Sequence, residues 1–222
     1  MTDQSIAELG PSDLGTLDYW ERVYSEELDN FKDHGDIGEI WFGRKNSLKV
    51  VRWITTQLNI NKDDKILDIG CGNGMTLVDL AKEGFAKLIG VDYSQKAIDL
   101  AHEVLKDNSL SYIDLQVCDI LEIEKSELPT DFKLVHDKGT YDAISLHPID
   151  PTTNRNKYIE NVYKILLPNG YLVLTSCNWT REELEKHFQN YFTILHLLPS
   201  DVFHFGGQTG NTVTQLVLQK KQ

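Results

Sequence analysis

A glycine-rich segment at residues 68–74, with the sequence Asp-Ile-Gly-Cys-Gly-Asn-Gly, lies between a short apolar run and a predicted helix. Glycines let the backbone turn tightly and approach a ligand without a Cβ atom in the way, and the N-terminus of a helix offers unpaired N–H groups. A dinucleotide fingerprint would need the spacing Gly-x-Gly-x-x-Gly to seat a pyrophosphate. Here the spacing is Gly-x-Gly-x-Gly and Asp68 precedes it, which favours a ligand with a cationic end. The alternative is a glycine-rich turn that holds no ligand.

Two further acidic residues follow the next two apolar runs of the chain. Asp92 ends the second run, where a carboxylate can accept hydrogen bonds from both hydroxyls of a ribose. An Asp at this place is also a common helix cap. Asp119 follows the third run, where it could accept a hydrogen bond from an adenine amino group or be an ordinary loop residue.

The segment 137–142, Asp-Lys-Gly-Thr-Tyr-Asp, follows a fourth apolar run. Ligands of open parallel sheets bind at the carboxyl ends of the strands, so Asp137 is predicted to point toward the reaction centre. Asp142 is predicted either to cap a helix or to orient a loop. Tyr141 and the later Trp179 are predicted to line an acceptor pocket or to pack in the core.

Three aromatic residues, Trp20, Tyr24 and Trp41, precede these motifs in the chain. They could close over a ligand or cage a lysine ammonium, because an aromatic face attracts a cation by about 0.5–2 kcal/mol. The alternative is ordinary packing of an N-terminal helix. The seven histidines show no metal-ligand spacing, so we expect no metal site.

The elements that must position these residues alternate between strands and helices from Lys65 onward. Short apolar runs predict strands at 65–69, 87–91, 113–117, 132–136 and 171–175. The alternation implies a parallel sheet with helices on both faces. A capping box begins a last helix at Thr180. The runs 192–198 and 213–219 then predict two consecutive antiparallel strands, which break the alternation.

Composition and charge narrow the class of protein. A length of 222 residues suggests one domain, and a formal net charge of −12 disfavours binding to nucleic acid or anionic membranes. Cys71, Cys118 and Cys177 lack a Cys-x-x-Cys spacing, which indicates buried thiols in a reducing compartment. Residues 1–17 lack the features of a signal or transit peptide, and no uncharged stretch could span a bilayer. These features predict a soluble, cytoplasmic protein.

The glycine segment, Asp92, Asp119 and the Leu-Leu-Pro-Asn-Gly-Tyr turn at 166–171 resemble, in their order, the class I S-adenosylmethionine-dependent methyltransferases over about residues 44–219. The resemblance implies an α/β fold with a seven-stranded Rossmann-like sheet, mostly parallel with an antiparallel C-terminal strand, and helices on both faces. It implies S-adenosylmethionine as cofactor and S-adenosylhomocysteine as product. The implied cofactor contacts are Asp68, Gly70, Cys71, Gly72, Gly74, Asp92, Tyr93, Asp119, Ile120 and Asp137.

Five short strings are similar to those of the lysine methyltransferases that act on translation elongation factor 1-alpha. They are Asp-Tyr-Trp at 18–20, Trp-Phe-Gly at 41–43, the segment 137–142, Cys-Asn-Trp-Thr at 177–180 and Phe-Gly-Gly at 205–207. The resemblance implies a protein-lysine N-methyltransferase with that protein as partner, and we expect a monomer. Catalytic roles are implied for Asp137 and Tyr141. The implied acceptor pocket consists of Trp20, Tyr24, Trp41 and Trp179.

The segment after the fourth strand also bears on the substrate. Enzymes that methylate amide or nucleobase nitrogens commonly carry Asn/Asp-Pro-Pro-Tyr/Phe there, whereas this chain has Asp-Lys-Gly-Thr at 137–140. The difference disfavours glutamine and DNA-base substrates. A small-molecule methyltransferase and a non-catalytic cofactor-binding scaffold both stay open as alternatives.

The chain is predicted to consist of one folded unit behind a short tail. We predict a flexible N-terminal tail at 1–16 and a single methyltransferase domain at 17–222. Within that domain, residues 17–60 are predicted to form a helical cap, because they precede the alternating strands and helices and carry apolar residues at helical spacing.

Overall fold

A computed structural model of the chain describes residues 7–199, 202–205, 208–211 and 213–222, with the backbone alone for 202–205 and 208–211. The helices are α1 (Leu17–His34), α2 (Arg44–Gln57), α3 (Met75–Lys82), α4 (Gln95–Asp107), α5 (Thr140–Ser145), α6 (Pro151–Ile165) and α7 (Arg181–Phe188). The strands are β1 (Lys65–Ile69), β2 (Lys87–Asp92), β3 (Asp114–Val117), β4 (Phe132–Lys138), β5 (Leu166–Ser176), β6 (Phe192–Leu197), β7 (Val202–Phe205), β8 (Gln208–Asn211) and β9 (Thr214–Lys220). Short 3₁₀ helices lie at Asp13–Gly15 and Ile120–Lys125.

Seven strands form one sheet in the order β3-β2-β1-β4-β5-β9-β6. Neighbouring strands are parallel from β3 to β5, whereas β9 runs antiparallel to both β5 and β6. This arrangement confirms the predicted fold class, including the antiparallel C-terminal strand. The strand order reverses at β1, which pairs with β2 on one side and with β4 on the other. Ligands of open α/β sheets bind beyond such a switch point.

Two hydrophobic clusters cover the two faces of the sheet, because successive residues of a strand point to opposite faces. Leu134 and Val135, which are consecutive in β4, belong to different clusters. The first cluster contains buried residues of α1, α2, α3 and α4, and the second contains buried residues of α6 and α7. Helices therefore lie on both faces, as the strand-helix alternation predicts.

The structure differs from the prediction at the C-terminal end. Between β6 and β9, the strands β7 and β8 pair antiparallel with each other in a separate two-stranded sheet. The sequence indicated only two consecutive strands here, because residues 202–211 are rich in Gly, Gln, Thr and Asn and show no sustained apolar alternation. The Phe-Gly-Gly string at 205–207 lies mostly outside the described residues.

Strand β4 is longer than predicted, and the difference changes the position of Asp137. The strand continues through Lys138, because Asp137 pairs with Ile69 of β1 and with Leu174 of β5. Backbone hydrogen bonds to both neighbouring strands thus extend β4 beyond the end of its apolar run. Asp137 and Lys138 therefore lie inside the strand, and their side chains point to opposite faces.

The described part of the predicted tail, residues 7–16, contacts the rest of the chain. The N–H of Ser12 donates to the carbonyl of Leu146 over 3.0 Å, and Arg155 donates to the carboxylate of Glu8 over 2.6 Å. Helices α1 and α2 account for most of residues 17–60. The division into a tail, a cap and one domain stays a prediction.

The three cysteines are free thiols. Cys71 and Cys118 are buried as predicted, but Cys177 is exposed because it lies in the loop that follows β5. Among the helices in the described parts of the chain, none is long and apolar enough to cross a membrane.

Removing the hydroxyl of Thr180 should destabilise the start of α7. The predicted capping box is present: Thr180 accepts from the N–H of Glu183, and the Glu183 carboxylate accepts from the N–H of Thr180. We expect Thr180→Ala to lower the free energy of unfolding by about 0.5–2 kcal/mol, measured by urea denaturation. Thr180→Ser keeps the acceptor and should retain most of the stability. Equal losses for the two variants would contradict this role.

Candidate active site

A cavity of about 350 Å³ lies at the carboxyl ends of β1, β2 and β4. Its walls come from the glycine segment, the ends of β2 and β3, the β4–α5 turn and the N-terminal region. The residues that line it include Trp20, Tyr24, Glu39, Trp41, Phe42, Gly70, Cys71, Gly72, Asp92, Tyr93, Asp119, Ile120, Lys138, Gly139, Thr140, Asp142 and Cys177. The structure thus brings together most of the residues that were predicted separately.

The backbone of the glycine segment adopts a left-handed conformation that residues with a side chain rarely adopt. Gly70 has a φ of +61° and Gly72 a φ of +53°. A Cβ atom at Gly70 would lie 2.0 Å from the Thr140 hydroxyl oxygen, and one at Gly72 would lie 2.6 Å from the Tyr24 hydroxyl oxygen. Both glycines are therefore required by backbone conformation and by close packing. Gly74 caps the N-terminus of α3 and does not line the cavity.

Asp92 lies at the end of β2, buried beside the glycine segment. Its two carboxylate oxygens accept from the N–H groups of Gly72 and Ser94, each over 3.0 Å. Burial raises the pKa of Asp92 to about 6, although the two N–H donors favour the charged form. Because a carboxylate has about four acceptor sites, Asp92 can still accept hydrogen bonds from a ligand. Tyr93 lies next to it on the cavity wall.

Asp119 and Ile120 line the cavity at the end of β3. One carboxylate oxygen of Asp119 accepts from the N–H of Leu121 over 2.8 Å and caps the 3₁₀ helix that follows. The other oxygen takes no part in that cap. Asp119 is therefore a cap that also faces the cavity.

Asp68 and Asp137 do not line the cavity. Asp68 is buried, and its carboxylate lies 2.7 Å from Nδ1 of His136. Asp137 is fully buried and accepts from the N–H of Thr140 over 2.9 Å and from the hydroxyl of Tyr158 over 2.5 Å. Burial raises the pKa of Asp137 to about 7, against the effect of the Tyr158 hydrogen bond.

Tyr141 and Trp179 are also buried away from the cavity. The hydroxyl of Tyr141 lies 2.9 Å from Nδ1 of His187, and the indole N–H of Trp179 donates to the hydroxyl of Ser145 over 3.1 Å. Trp179 packs edge-on against His187. Of the two readings that the sequence left open for these residues, the structure shows packing.

Asp142 orients the loop after β5, one of its two predicted roles. Its carboxylate accepts from the hydroxyl of Ser176 over 2.5 Å and from the N–H of Cys177 over 2.8 Å. Asp142 also lines the cavity, as does Cys177. The interaction therefore attaches the loop after β5 to α5 at the edge of the cavity.

The predicted aromatic residues form one wall of the cavity. The ring of Trp20 stacks on that of Tyr24 with centroids 5.7 Å apart, and it meets Trp41 edge-on at 5.2 Å. The indole N–H of Trp20 donates to the carbonyl of Leu14 over 2.8 Å. This aromatic wall, Trp20, Tyr24 and Trp41, lies on the α1 side of the glycine segment.

Lys138 and Glu39 line the cavity but received no role from the sequence. Strand alternation places Lys138 opposite Asp137, but the apolar run ends before Asp137, so the sequence did not show that the strand reaches Lys138. Glu39 lies in a loop without periodicity, so no pattern could place it. The described residues contain no group of three or more His, Cys, Asp or Glu side chains arranged to hold a metal.

Comparison with known proteins agrees with this geometry. Residues 60–221 match the family model described as "Methyltransferase domain". The chain is 45% identical to EEF1A lysine methyltransferase 2 of Danio rerio, over 96% of this chain and 90% of that protein, and 44% identical to the protein of the same name of Homo sapiens, over 95% and 88%. It is 36% identical to protein-lysine N-methyltransferase efm4 of Schizosaccharomyces pombe, over 96% and 97%.

A solved structure has the same fold. N-methyltransferase NodS from Bradyrhizobium japonicum, in complex with S-adenosylhomocysteine, superposes with a TM-score of 0.67 at 18% identity, covering 91% of this chain and 99% of that one. That level of identity supports the fold alone. With the family model and the closely similar relatives, it leads to one conclusion: the chain is an S-adenosylmethionine-dependent methyltransferase and belongs to the family of the EEF1A lysine methyltransferases 2.

Proposed function

We propose that this enzyme transfers a methyl group from S-adenosylmethionine to a lysine side chain of translation elongation factor 1-alpha. One observation carries the proposal: a single cavity combines the glycine segment and Asp92 with the aromatic wall. Relatives named EEF1A lysine methyltransferase 2 are 44–45% identical to this chain over the aligned residues. The glycine segment and Asp92 suit an adenosine cofactor, and the aromatic wall suits an ammonium acceptor.

The residues at the ends of β1, β2 and β3 fit S-adenosylmethionine. At Gly70 and Gly72 the backbone forms part of the cavity wall where a Cβ atom would not fit. We propose that Asp92 accepts from the ribose hydroxyls and that Asp119 and Ile120 contact the adenine. When bound, the cofactor supplies an electrophilic methyl group on a sulfonium. The protein then contributes alignment of the reacting atoms, which is catalysis by positioning.

The acceptor lysine must lose a proton before it can attack. At neutral pH this deprotonation costs roughly 4.6 kcal/mol for an amine of pKa about 10.4. We propose that the aromatic wall, Trp20, Tyr24 and Trp41, binds the ammonium and excludes water, because a desolvated amine is more easily deprotonated. Glu39, exposed on the rim of the cavity, is placed to attract the incoming cation.

Asp137 and Tyr141 are proposed to act through other residues. Asp137 accepts from the N–H groups of Thr140 and Tyr141. The Thr140 hydroxyl in turn donates to the carbonyl of Ile69 over 2.9 Å, directly before the glycine segment. Asp137 thereby holds the β4–α5 turn against the glycine segment. We therefore propose that both are positioning residues, with no direct contact to the acceptor.

The remaining expectations for the chain are also proposals. We propose that the enzyme acts as a monomer in the cytoplasm and binds neither nucleic acid nor membranes. The formal net charge of −12 supports the last two points, because nucleic acid and anionic membranes would repel it.

Labelling with S-adenosylmethionine that carries a tritiated methyl group tests the substrate. We expect label in purified elongation factor 1-alpha, at lysine, and none in phosphoethanolamine. The second acceptor is included because a phosphoethanolamine N-methyltransferase of Plasmodium falciparum is 27% identical over 74% of this chain. Trp41→Ala should slow transfer, while Trp53→Ala, on a ring that stacks on His196 outside the cavity, should not. Label only in the small molecule would overturn the proposed substrate.

Cofactor affinity should depend on the ionisation of Asp92. Asp92→Ala should weaken binding of S-adenosylhomocysteine by roughly 10-fold to 150-fold, because hydrogen bonds to a charged group contribute about 1.5–3 kcal/mol. Since the pKa of Asp92 is about 6, wild-type affinity should be constant above pH 7. Below pH 6 it should fall, by up to about tenfold per pH unit, toward the affinity of the Asp92→Ala variant as the carboxylate is protonated. Calorimetry at several pH values measures both effects.

Asp92→Asn supplies the control for this pH dependence. The amide cannot titrate, so the variant should bind weakly with an affinity that changes little between pH 8 and pH 5. The charges of Asp68 and Glu21 also raise the pKa of Asp92, and both residues remain in the variant. A variant that loses affinity at low pH as steeply as the wild type would place the titration elsewhere.

The buried carboxylate of Asp137 should make stability depend on pH. Its pKa is about 7 in the fold against an ordinary value of 3.8, so its contribution is fully present below about pH 4 and is lost as the pH rises through 7. We expect Asp137→Asn to be less stable than the wild type at pH 5, with a difference that shrinks toward pH 8. Urea denaturation at each pH measures this difference, and a difference that grows with pH would contradict the assignment.

A further inference from the structure

Lys138 is the only lysine or arginine among the described residues that line the cavity. It is the last residue of β4, and its side chain is partly exposed toward the cavity while Asp137 points into the core. Four acidic residues share the lining with it: Glu39, Asp92, Asp119 and Asp142. A single cation among several carboxylates marks one place where this cavity can attract an anion.

The ammonium of Lys138 has no direct partner among the side chains that the structure describes. No hydrogen bond and no ion pair joins it to any residue within the described ranges 7–199 and 213–222. Burial lowers the pKa of Lys138, while Asp68 and Asp137 act in the opposite direction. Partly desolvated charges are normally paired. An unpaired ammonium on the wall of a ligand cavity therefore indicates that the ligand supplies the counter-charge.

The order of the strands places Lys138 at one end of the cofactor site. Asp119 follows β3, Asp92 ends β2, the glycine segment follows β1, and Lys138 ends β4. Because adjacent strands lie about 4.8 Å apart, Lys138 is roughly 14 Å along the sheet edge from the adenine side. By strand alternation, the side chain of Lys138 points to the same face of the sheet as Leu134, whose hydrophobic cluster contains buried residues of α1. Lys138 therefore lies on the α1 side of the sheet.

We propose that Lys138 binds the α-carboxylate in the amino-acid part of the cofactor. Because Asp92 and Asp119 are proposed to hold the adenosine end, the amino-acid end extends past the glycine segment toward β4. The α-carboxylate is the one anionic group of the cofactor. Lys138 is the one lysine or arginine among the described residues that line the cavity. The pairing would distinguish the complete cofactor from adenosine compounds that lack the amino acid. It rests on the cofactor alone and not on the proposed protein acceptor.

Calorimetry with three ligands tests the pairing. S-adenosylhomocysteine carries the carboxylate, its decarboxylated analogue lacks only that group, and 5'-methylthioadenosine lacks the whole amino-acid part. Lys138→Met should weaken S-adenosylhomocysteine binding by roughly 10-fold to 150-fold, as expected for a lost charged hydrogen bond. Binding of 5'-methylthioadenosine should change by less than about twofold. Lys138→Arg should retain most of the affinity.

Lys133→Met is the matched control, because Lys133 lies in the same strand with its ammonium over the ring of Tyr171, away from the cavity. It should leave all three affinities unchanged. In Lys138→Met, S-adenosylhomocysteine and its decarboxylated analogue should bind alike, which closes a double-mutant cycle between side chain and carboxylate. Equal losses for S-adenosylhomocysteine and 5'-methylthioadenosine would overturn the proposal in favour of a structural role.

The role of Lys138 can be tested even if the variant does not fold, and independently of the proposed protein substrate. If Lys138→Met does not fold, the wild type still decides, since equal affinity for S-adenosylhomocysteine and its decarboxylated analogue would overturn the pairing. None of these measurements contains a protein acceptor. Failure to methylate elongation factor 1-alpha would therefore contradict the proposed substrate and leave the role of Lys138 intact.

Discussion

The cavity depends most directly on the hydrogen bonds that the buried carboxylate of Asp137 accepts. Burying a charge without partners is costly, and here donors from α5 and α6 converge on it: the N–H groups of Thr140 and Tyr141 and the hydroxyl of Tyr158. These bonds attach two helices to the end of β4. Thr140 then extends the network to the carbonyl of Ile69. The shape of the cavity therefore depends on hydrogen bonds made behind it.

A steric constraint acts together with this network. The Thr140 hydroxyl occupies the space that a Cβ atom at Gly70 would need, and the Tyr24 hydroxyl does the same at Gly72. The glycine segment is thus packed between the β4–α5 turn and α1. Its glycines serve the fit of the protein to itself as well as the approach of a ligand. A side chain at Gly70 would displace the β4–α5 turn, and one at Gly72 would displace Tyr24 of the aromatic wall.

The charges of the cavity agree with a ligand that is cationic at its reactive centre. Carboxylates predominate on the wall, and the aromatic faces of Trp20, Tyr24 and Trp41 add a surface that attracts cations without binding a proton. Both a sulfonium and an incoming ammonium suit such a wall. The lone lysine supplies the opposite charge at one point only. The cavity as a whole therefore attracts cations, and at Lys138 it attracts an anion.

Local pattern in the sequence was enough to predict the sheet, the glycine segment and Asp92. Alternation of apolar runs and helical spacing reflects burial in a parallel sheet, and the carboxyl ends of such strands must meet at one edge. Asp92 and the glycine segment were therefore predicted together on the site. The capping box at Thr180 is also local, because its two partners are three residues apart. For these features the cause lies within a few residues of the chain.

Tertiary structure alone decided which side chains of a strand end reach the cavity. The apolar run of β4 ends before Asp137, but pairing with β1 and β5 extends the strand by two residues and turns Asp137 into the core and Lys138 outward. Tyr141 and Trp179 were likewise placed by partners distant in sequence, His187 and Ser145. The short pair β7 and β8 depends on pairing between the two strands, because the Gln-Thr-Gly-Asn sequence of β8 has little β-propensity of its own. Sequence pattern determines where a strand lies, whereas its end and the direction of its last side chains depend on the neighbours that pair with it.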